Sequence, residues 1–327
     1  MRQGCNNRIP NLALVTKEEL LAAVNAVDWK KHESAMRRWR DIPASLRYLL
    51  NYEPEPTRTG RWLRTISRAR ISSKKDAIDN LVLELEHQGG AYPAALPAIP
   101  ILCQLLPFLE PPERVSVTRL LISICLPFSS GFELYNEAPL WEPQYYRLVE
   151  RYSDCFLPLL DDSATTFIGS YAVAWFPRVG RPALPKLLQL STAAPEELRM
   201  SAILARGLLK DSICIPDEDS GPRLRRLSAI AKAYGTGACE ECLRVFIEMS
   251  TYVPSTNPVL EDEWLGPWGD SLISIAIEFL RRTDSRIKEQ FLENAAEGIM
   301  AKAVSQPLAP DSPSELRPWL TLSGIPS

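Results

Sequence analysis

Histidine is nearly missing from this chain: its 327 residues hold only His32 and His87. A His-rich metal site, or a finger built on Cys/His pairs, needs more imidazoles at set spacing than that. The phosphate-cradling and nucleophile fingerprints are absent too, with no GxSxG, P-loop or Rossmann glycine pattern anywhere. Gly235-Thr236-Gly237 reads instead as the turn between two helices. No run alternates at period two, which excludes a sheet of any extent. Behind the positive charges of Arg2 and Arg8 there is no apolar stretch, and Arg2 stands where myristoylation needs glycine, so a cytoplasmic chain is expected. Seven cysteines, at 5, 103, 125, 155, 214, 239 and 242, are odd in number and scattered through apolar surroundings. They read as reduced, buried thiols. Cys239-Glu240-Glu241-Cys242 is a lone CxxC with no second pair and no strand before it, expected to be incidental, with one thiol packed inside a helix.

Charge is balanced overall and unbalanced locally. The net charge of −3 gives no global pull toward nucleic acid. Residues 1–75, however, hold sixteen Lys/Arg against seven Asp/Glu, a balance of +9 that leaves −12 for the remainder. The N-terminal end is therefore basic and the body acidic. One uncharged stretch, 91–109, approaches the length of a membrane span. Pro93, Pro97, Pro100, Pro107 and Gln104 argue for a helix buried in protein instead, and no membrane partner is expected.

What is present is helical periodicity with clear punctuation. Thr16-Lys17-Glu18-Glu19 is a capping box opening a helix that carries Leu20, Leu21, Val24 and Val27. A helix started by Pro43 follows, then a short basic helix over 58–70, and Ser72-Ser73 caps the next. In that next helix Ile78, Leu81, Val82 and Leu85 recur at i, i+3, i+4 and i+7, and Gly89-Gly90 supply its stop. Pro93 suits the first turn of its successor. Pro111-Pro112-Glu113 starts another helix. The pattern then predicts a helix over 145–160, one capped by Ser163 and ended by Pro177, a partner beginning at Gly180-Arg181-Pro182, and helices opened by Pro195 and running over 224–234, 238–250, 270–281 and 285–303. Ala95-Leu96-Pro97 and Ala183-Leu184-Pro185 lie 88 positions apart, each expected near the start of a second helix. That is about two units of the roughly 40–47 residues of HEAT or armadillo repeats. At this length an elongated array or two domains is expected.

The run His87-Gln88-Gly89, then Tyr92, Ala95, Ala98 and Pro100 ahead of Leu102, Leu105 and Leu106, resembles a motif of bacterial HEAT-repeat (armadillo-like) proteins of unassigned role. Residues 171–177 with Ala183-Leu184-Pro185-Lys186-Leu187-Leu188 are similar to the following repeat, and Asp28-Trp29 with Ile42-Pro43 to the N-terminal unit. Glu33-Ser34-Ala35 departs from the small-aromatic-glycine run expected there. The resemblance implies an all-α fold, a right-handed α-α superhelix (HEAT-like solenoid) of about six helix pairs. It divides the chain into a basic helical cap at 1–73, HEAT-like repeats at 74–304 and a proline-rich tail at 305–327.

Candidate binding residues follow from charge and aromatics. Arg37, Arg38 and Arg40, with Arg61, Arg64 and Arg68 at i, i+3 and i+7 beside Trp62, can meet carboxylates or phosphates along one ridge. His87 closes a turn beside Glu84 and Glu86. Trp264 and Trp268 stand among carboxylates in an acidic loop, 261–270, able to hold a cation or sugar. No catalytic residue, metal or cofactor is assigned, and an enzyme is the less favoured expectation. A scaffold that holds a protein partner, acidic in character, through a concave face and the basic ridge is expected. The alternatives are a nucleic-acid-binding protein of the DNA alkylation-repair type and a helical-repeat enzyme acting on a small molecule.

Overall fold

The structure, a computed structural model, describes residues 15–52, 71–87, 90–125, 143–193, 195–215, 222–236 and, apart from 243, 239–245. Over these residues the chain is all-α in class, with one pair of two-residue strands as the exception. It divides into two compact units, residues 1–127 with 140–155 and residues 128–139 with 156–327. Residues on both sides of 73 share the first unit, and the expected tail at 305–327 lies outside the described residues.

The first unit opens with α1, Lys17–Ala26, and its capping box forms as the sequence predicts. Thr16 Oγ1 accepts the Glu19 N–H at 3.1 Å while the Glu19 carboxylate accepts the Thr16 N–H at 2.7 Å. Leu20 and Val24 turn inward, and buried Trp29, in a 3-10 turn, donates its indole N–H to the Val24 carbonyl at 2.9 Å. α2, Asp41–Leu49, buries Ile42, Leu46 and Leu49 and packs on α3, Lys74–Leu85. Ser73 caps α3 by accepting the Asp76 N–H.

α3 ends at Leu85, and a hairpin takes over. β1, Glu86–His87, pairs antiparallel with β2, Gly90–Ala91, in the register Glu86 to Ala91 and His87 to Gly90. α4, Ala95–Leu105, then runs through the interior and buries seven of its residues, which explains why it carries no charge. α5, Pro111–Cys125, starts at the expected prolines, and α6, Pro143–Tyr152, packs on α4 and α5. Among the described residues no helix is long and apolar enough to cross a membrane.

Three expectations need correction. The helix predicted over 145–160 is α-helical only to Tyr152 and continues as a 3-10 segment, Ser153–Leu160. Pro158 lies inside that segment and has no N–H to give an α-helical ladder. Ser163 is exposed and caps nothing; the next helix starts at Thr166, and the turn before it is tied by the Thr165 hydroxyl donating to the Leu159 carbonyl at 2.9 Å. The helix expected from Gly180 begins at Pro177, so Ala183 sits in its second turn, whereas Ala95 begins α4. The two Ala-Leu-Pro runs thus occupy different helical positions.

The second unit contains α7, Thr166–Trp175, α8, Pro177–Ala193, α9, Glu196–Leu208, and α10, Pro222–Thr236. α9 packs against the other three and buries Ala202, Ile203, Leu204 and Ala205. Its approach to α10 is set by Gly207, where a Cβ would stand 2.4 Å from the Ala231 carbonyl oxygen. Arg206 locks the end of α9, donating to Asp211 Oδ2 at 2.6 Å, Ser191 Oγ at 3.0 Å and the Ser212 carbonyl at 2.9 Å. Of the cysteines, Cys103, Cys125, Cys155 and Cys242 are buried as expected, but Cys214 is exposed. Burial pushes the Cys125 and Cys155 thiols well above their ordinary range.

Candidate interaction surface

The basic residues of the first unit divide into those already engaged and those on offer. Arg47 donates to Asn25 Oδ1 at 2.6 and 3.1 Å, Lys31 pairs with Asp28 at 3.2 Å, Lys74 lies 4.0 Å from Glu113, and Lys17 sits over the Phe108 ring. Among the described residues no carboxylate pairs with Arg37, Arg38 or Arg40, and all three are exposed. Met36 beside them is 43% exposed, and the Arg40 guanidinium lies 5.0 Å from the Trp39 ring centre.

These residues stand on a turn whose backbone is fixed from below. The Glu33 carbonyl accepts the Ala94 N–H at 2.9 Å, next to the start of α4. Two residues on, Ala35 donates its N–H to the Glu84 carbonyl at 3.1 Å, near the end of α3. The Glu84 carboxylate then accepts the Arg38 N–H at 3.1 Å. Glu84 is 2% exposed, so a buried carboxylate grips a loop from beneath. Between these anchors the chain doubles back, with the Arg37 N–H donating to the Ser34 carbonyl at 3.1 Å. Arg37 takes φ 57°, the left-handed region that a side chain with a Cβ enters at a cost. The Asp41 N–H donating to the Arg38 carbonyl at 2.8 Å leads straight into α2.

Such an arrangement holds three guanidinium groups, a thioether and an indole on consecutive residues with the backbone already ordered. Guanidinium forks suit carboxylates and phosphates, and a flanking apolar side chain adds desolvated contact. Little backbone ordering entropy is left to lose on binding.

The structure brings together Arg37, Arg38 and Arg40 and leaves His87 out of that turn. His87 lies half-buried in the hairpin opposite Gly90, and the nearby Glu84 carboxylate is engaged with the Arg38 amide. The expected ridge residues Arg61, Trp62, Arg64 and Arg68 fall outside the described residues, as do Trp264 and Trp268 with the 261–270 acidic loop. Sequence reasoning set Glu84 beside His87 and missed that it anchors the basic turn. The apolar stripe was placed on Ile78, Leu81, Val82 and Leu85, whereas the buried face is Ala77, Ile78, Leu81, Glu84 and Leu85, and Val82 is only half-buried. A glutamate seven positions after Ala77 and three after Leu81 was the available signal. Among the described residues no group of three or more His, Cys, Asp or Glu could hold a metal ion. Compared with protein-family models, with curated proteins and with solved structures, the chain matches none.

Proposed function

We propose that this protein is a non-catalytic interaction module of the HEAT-like kind, a right-handed superhelix of about six helix pairs that holds an acidic protein partner. The partner is taken up on the concave face and the basic N-terminal end, with Arg37, Arg38 and Arg40 as the charged contacts and Met36 and Trp39 as apolar neighbours. The observation that carries this reading is the pinned turn. Three arginines without carboxylate partners among the described residues are presented on a backbone anchored by the buried Glu84. An acidic protein is favoured over a duplex because the chain outside residues 1–75 carries −12, which would repel a polyanion tracking along the whole molecule. The setting proposed is the cytoplasm.

The test is affinity capture from the native lysate with the protein and with its Arg37→Glu/Arg38→Glu/Arg40→Glu variant as baits, at low and moderate salt, with and without nuclease. A protein partner retained by the native bait, crosslinked to the 33–41 segment and recovered at least about tenfold less by the variant is the expected outcome. Identical recoveries on both baits would sink the reading. Nuclease-sensitive nucleic acid lost steeply with salt would replace it with a nucleic-acid-binding one.

A further inference from the structure

The lone CxxC in the second unit has one thiol packed in the interior, as expected, and the second close beside it. Cys239 lies directly before the helical residues 240–242, so one turn of helix carries Cys242 back beside it. The two sulfurs are 3.3 Å apart, both as thiols. A disulfide needs about 2.05 Å between sulfurs, so closure asks for a shift of only about 1.3 Å within one turn. The two thiols are not equivalent. Cys242 is fully buried, while Cys239 is partly open to solvent. Lys232, on α10, is held by an ion pair with Glu241, inside the CxxC, and its ammonium acts electrostatically on both sulfurs.

We propose that Cys239 and Cys242 form a thiol–disulfide exchange site that reduces an external disulfide reaching it through Cys239. The order of events follows from access. Cys239, as thiolate, attacks one sulfur of the external disulfide, RSSR. A Cys239–S–S–R bond forms, the S–S bond of RSSR breaks, and RS⁻ leaves, taking a proton from solvent. Cys242 then gives up its proton to solvent or to the departing thiolate and attacks the Cys239 sulfur from within, releasing the second RS⁻. Two protein thiols are oxidised to one internal disulfide while one RSSR becomes two RSH, a transfer of two electrons. A dithiol reductant reverses both steps and resets the pair.

The electrostatics assign the roles the same way. Burial pushes the Cys242 thiol up to about 12; the hydrogen bond from the Cys239 backbone opposes part of that rise, the thiol–thiol hydrogen bond adds to it, and the Lys232 charge opposes it more weakly. Cys242 therefore keeps its proton at neutral pH until the mixed disulfide brings a target within reach. No third His, Cys, Asp or Glu joins the pair in a metal-ligand set among the described residues, which favours exchange over metal holding. This inference is independent of the interaction reading, because the basic turn lies in the other unit.

The test treats the full-length protein with oxidised glutathione at neutral pH, then maps the thiols by alkylation and peptide mass spectrometry. The peptide containing Cys239 and Cys242 is expected to lose two hydrogens, keep no glutathione and recover with dithiothreitol. Cys242→Ser should stop at glutathione on Cys239, and Cys239→Ser should give neither adduct nor internal bond. Lys232→Met should slow resolution of the Cys239–glutathione adduct by Cys242, because the Lys232 charge opposes the rise of the Cys242 thiol, while leaving adduct formation on Cys239 unchanged. The native-protein reaction needs no variant, so a misfolded substitution leaves the test standing. If the native pair stays freely alkylatable while exposed Cys214 collects glutathione, the proposal is overturned. Protection of the pair by added zinc, with no internal disulfide from glutathione, would overturn it in favour of a metal site.

Discussion

Replacing Glu84 by alanine should release the basic turn without touching any arginine. The side chain is 2% exposed and supplies the acceptor for the Arg38 N–H at 3.1 Å, so the substitution removes one hydrogen bond to a carboxylate and leaves a small void. Bonds of that type contribute about 1.5–3 kcal/mol. The lower end applies, because Arg38 is exposed and water can re-solvate its amide. The void adds roughly 1 kcal/mol, and relief from holding a carboxylate out of water returns a similar amount. The net is about 1.5 kcal/mol concentrated on residues 33–40, or roughly a 12-fold shift in the local opening equilibrium. Hydrogen–deuterium exchange by mass spectrometry reads this directly. Peptides spanning 33–40 should exchange about 12-fold faster, while those of α4 change far less. Glu84→Gln keeps an oxygen acceptor of the same reach and should stay within about fivefold of the native rate, a cost of at most about 1 kcal/mol. Native exchange at 33–40 in the alanine variant would show that Glu84 does not anchor the turn, and the carrying observation of the proposed function would be lost.

Other consequences are open to the same kind of test. Gly207→Ala adds a Cβ 2.4 Å from the Ala231 carbonyl oxygen. The overpacking should outweigh the gain of about 1 kcal/mol in helix propensity and lower stability by about 1–3 kcal/mol in urea denaturation; an unchanged midpoint would refute the close approach of α9 to α10. Arg206→Met strips the contacts to Asp211, Ser191 and Ser212 and should cost about 2–3 kcal/mol. Arg206→Lys should recover little of that loss, since an ammonium cannot span three directions as the guanidinium fork does, and full rescue by lysine would contradict it. Burial pushes the Tyr146 phenol up to about 12. Its folded value lies above the ordinary value near 10, so its contribution to stability is fully present below pH 10 and is lost as pH rises toward 12. A tyrosinate absorbance titration, compared with Tyr146→Phe, should show that step missing from the native protein near pH 10; a normal midpoint for Tyr146 would place the ring in water.

Punctuation was legible along the chain because it is short-range chemistry. Thr16 with Glu19, Ser73 before α3 and Pro111 at the start of α5 each satisfy or remove backbone donors within one turn, so their partners lie a few residues away. The same locality made the uncharged α4 readable as interior. Where two signals competed over a few residues, boundaries slipped. Pro158 broke the α ladder at 153–160, and the α8 start at Pro177 escaped notice because Pro182 offered an equally good beginning.

The sequence by itself determined the all-α class, the caps of α1 and α3, the basic excess of residues 1–75 and the presence of a CxxC. Only the tertiary structure decided what those charges and thiols do. Periodicity tells which residues share a helix face, but not which neighbouring element covers that face. Glu84 became an anchor because the 33–38 segment crosses the end of α3, and Lys232 came to act on Cys239 and Cys242 because α10 lies against them. The first contact spans 46 positions and the second, Lys232 to Glu241, crosses the turn after α10 over nine; both arise only once the helices have packed.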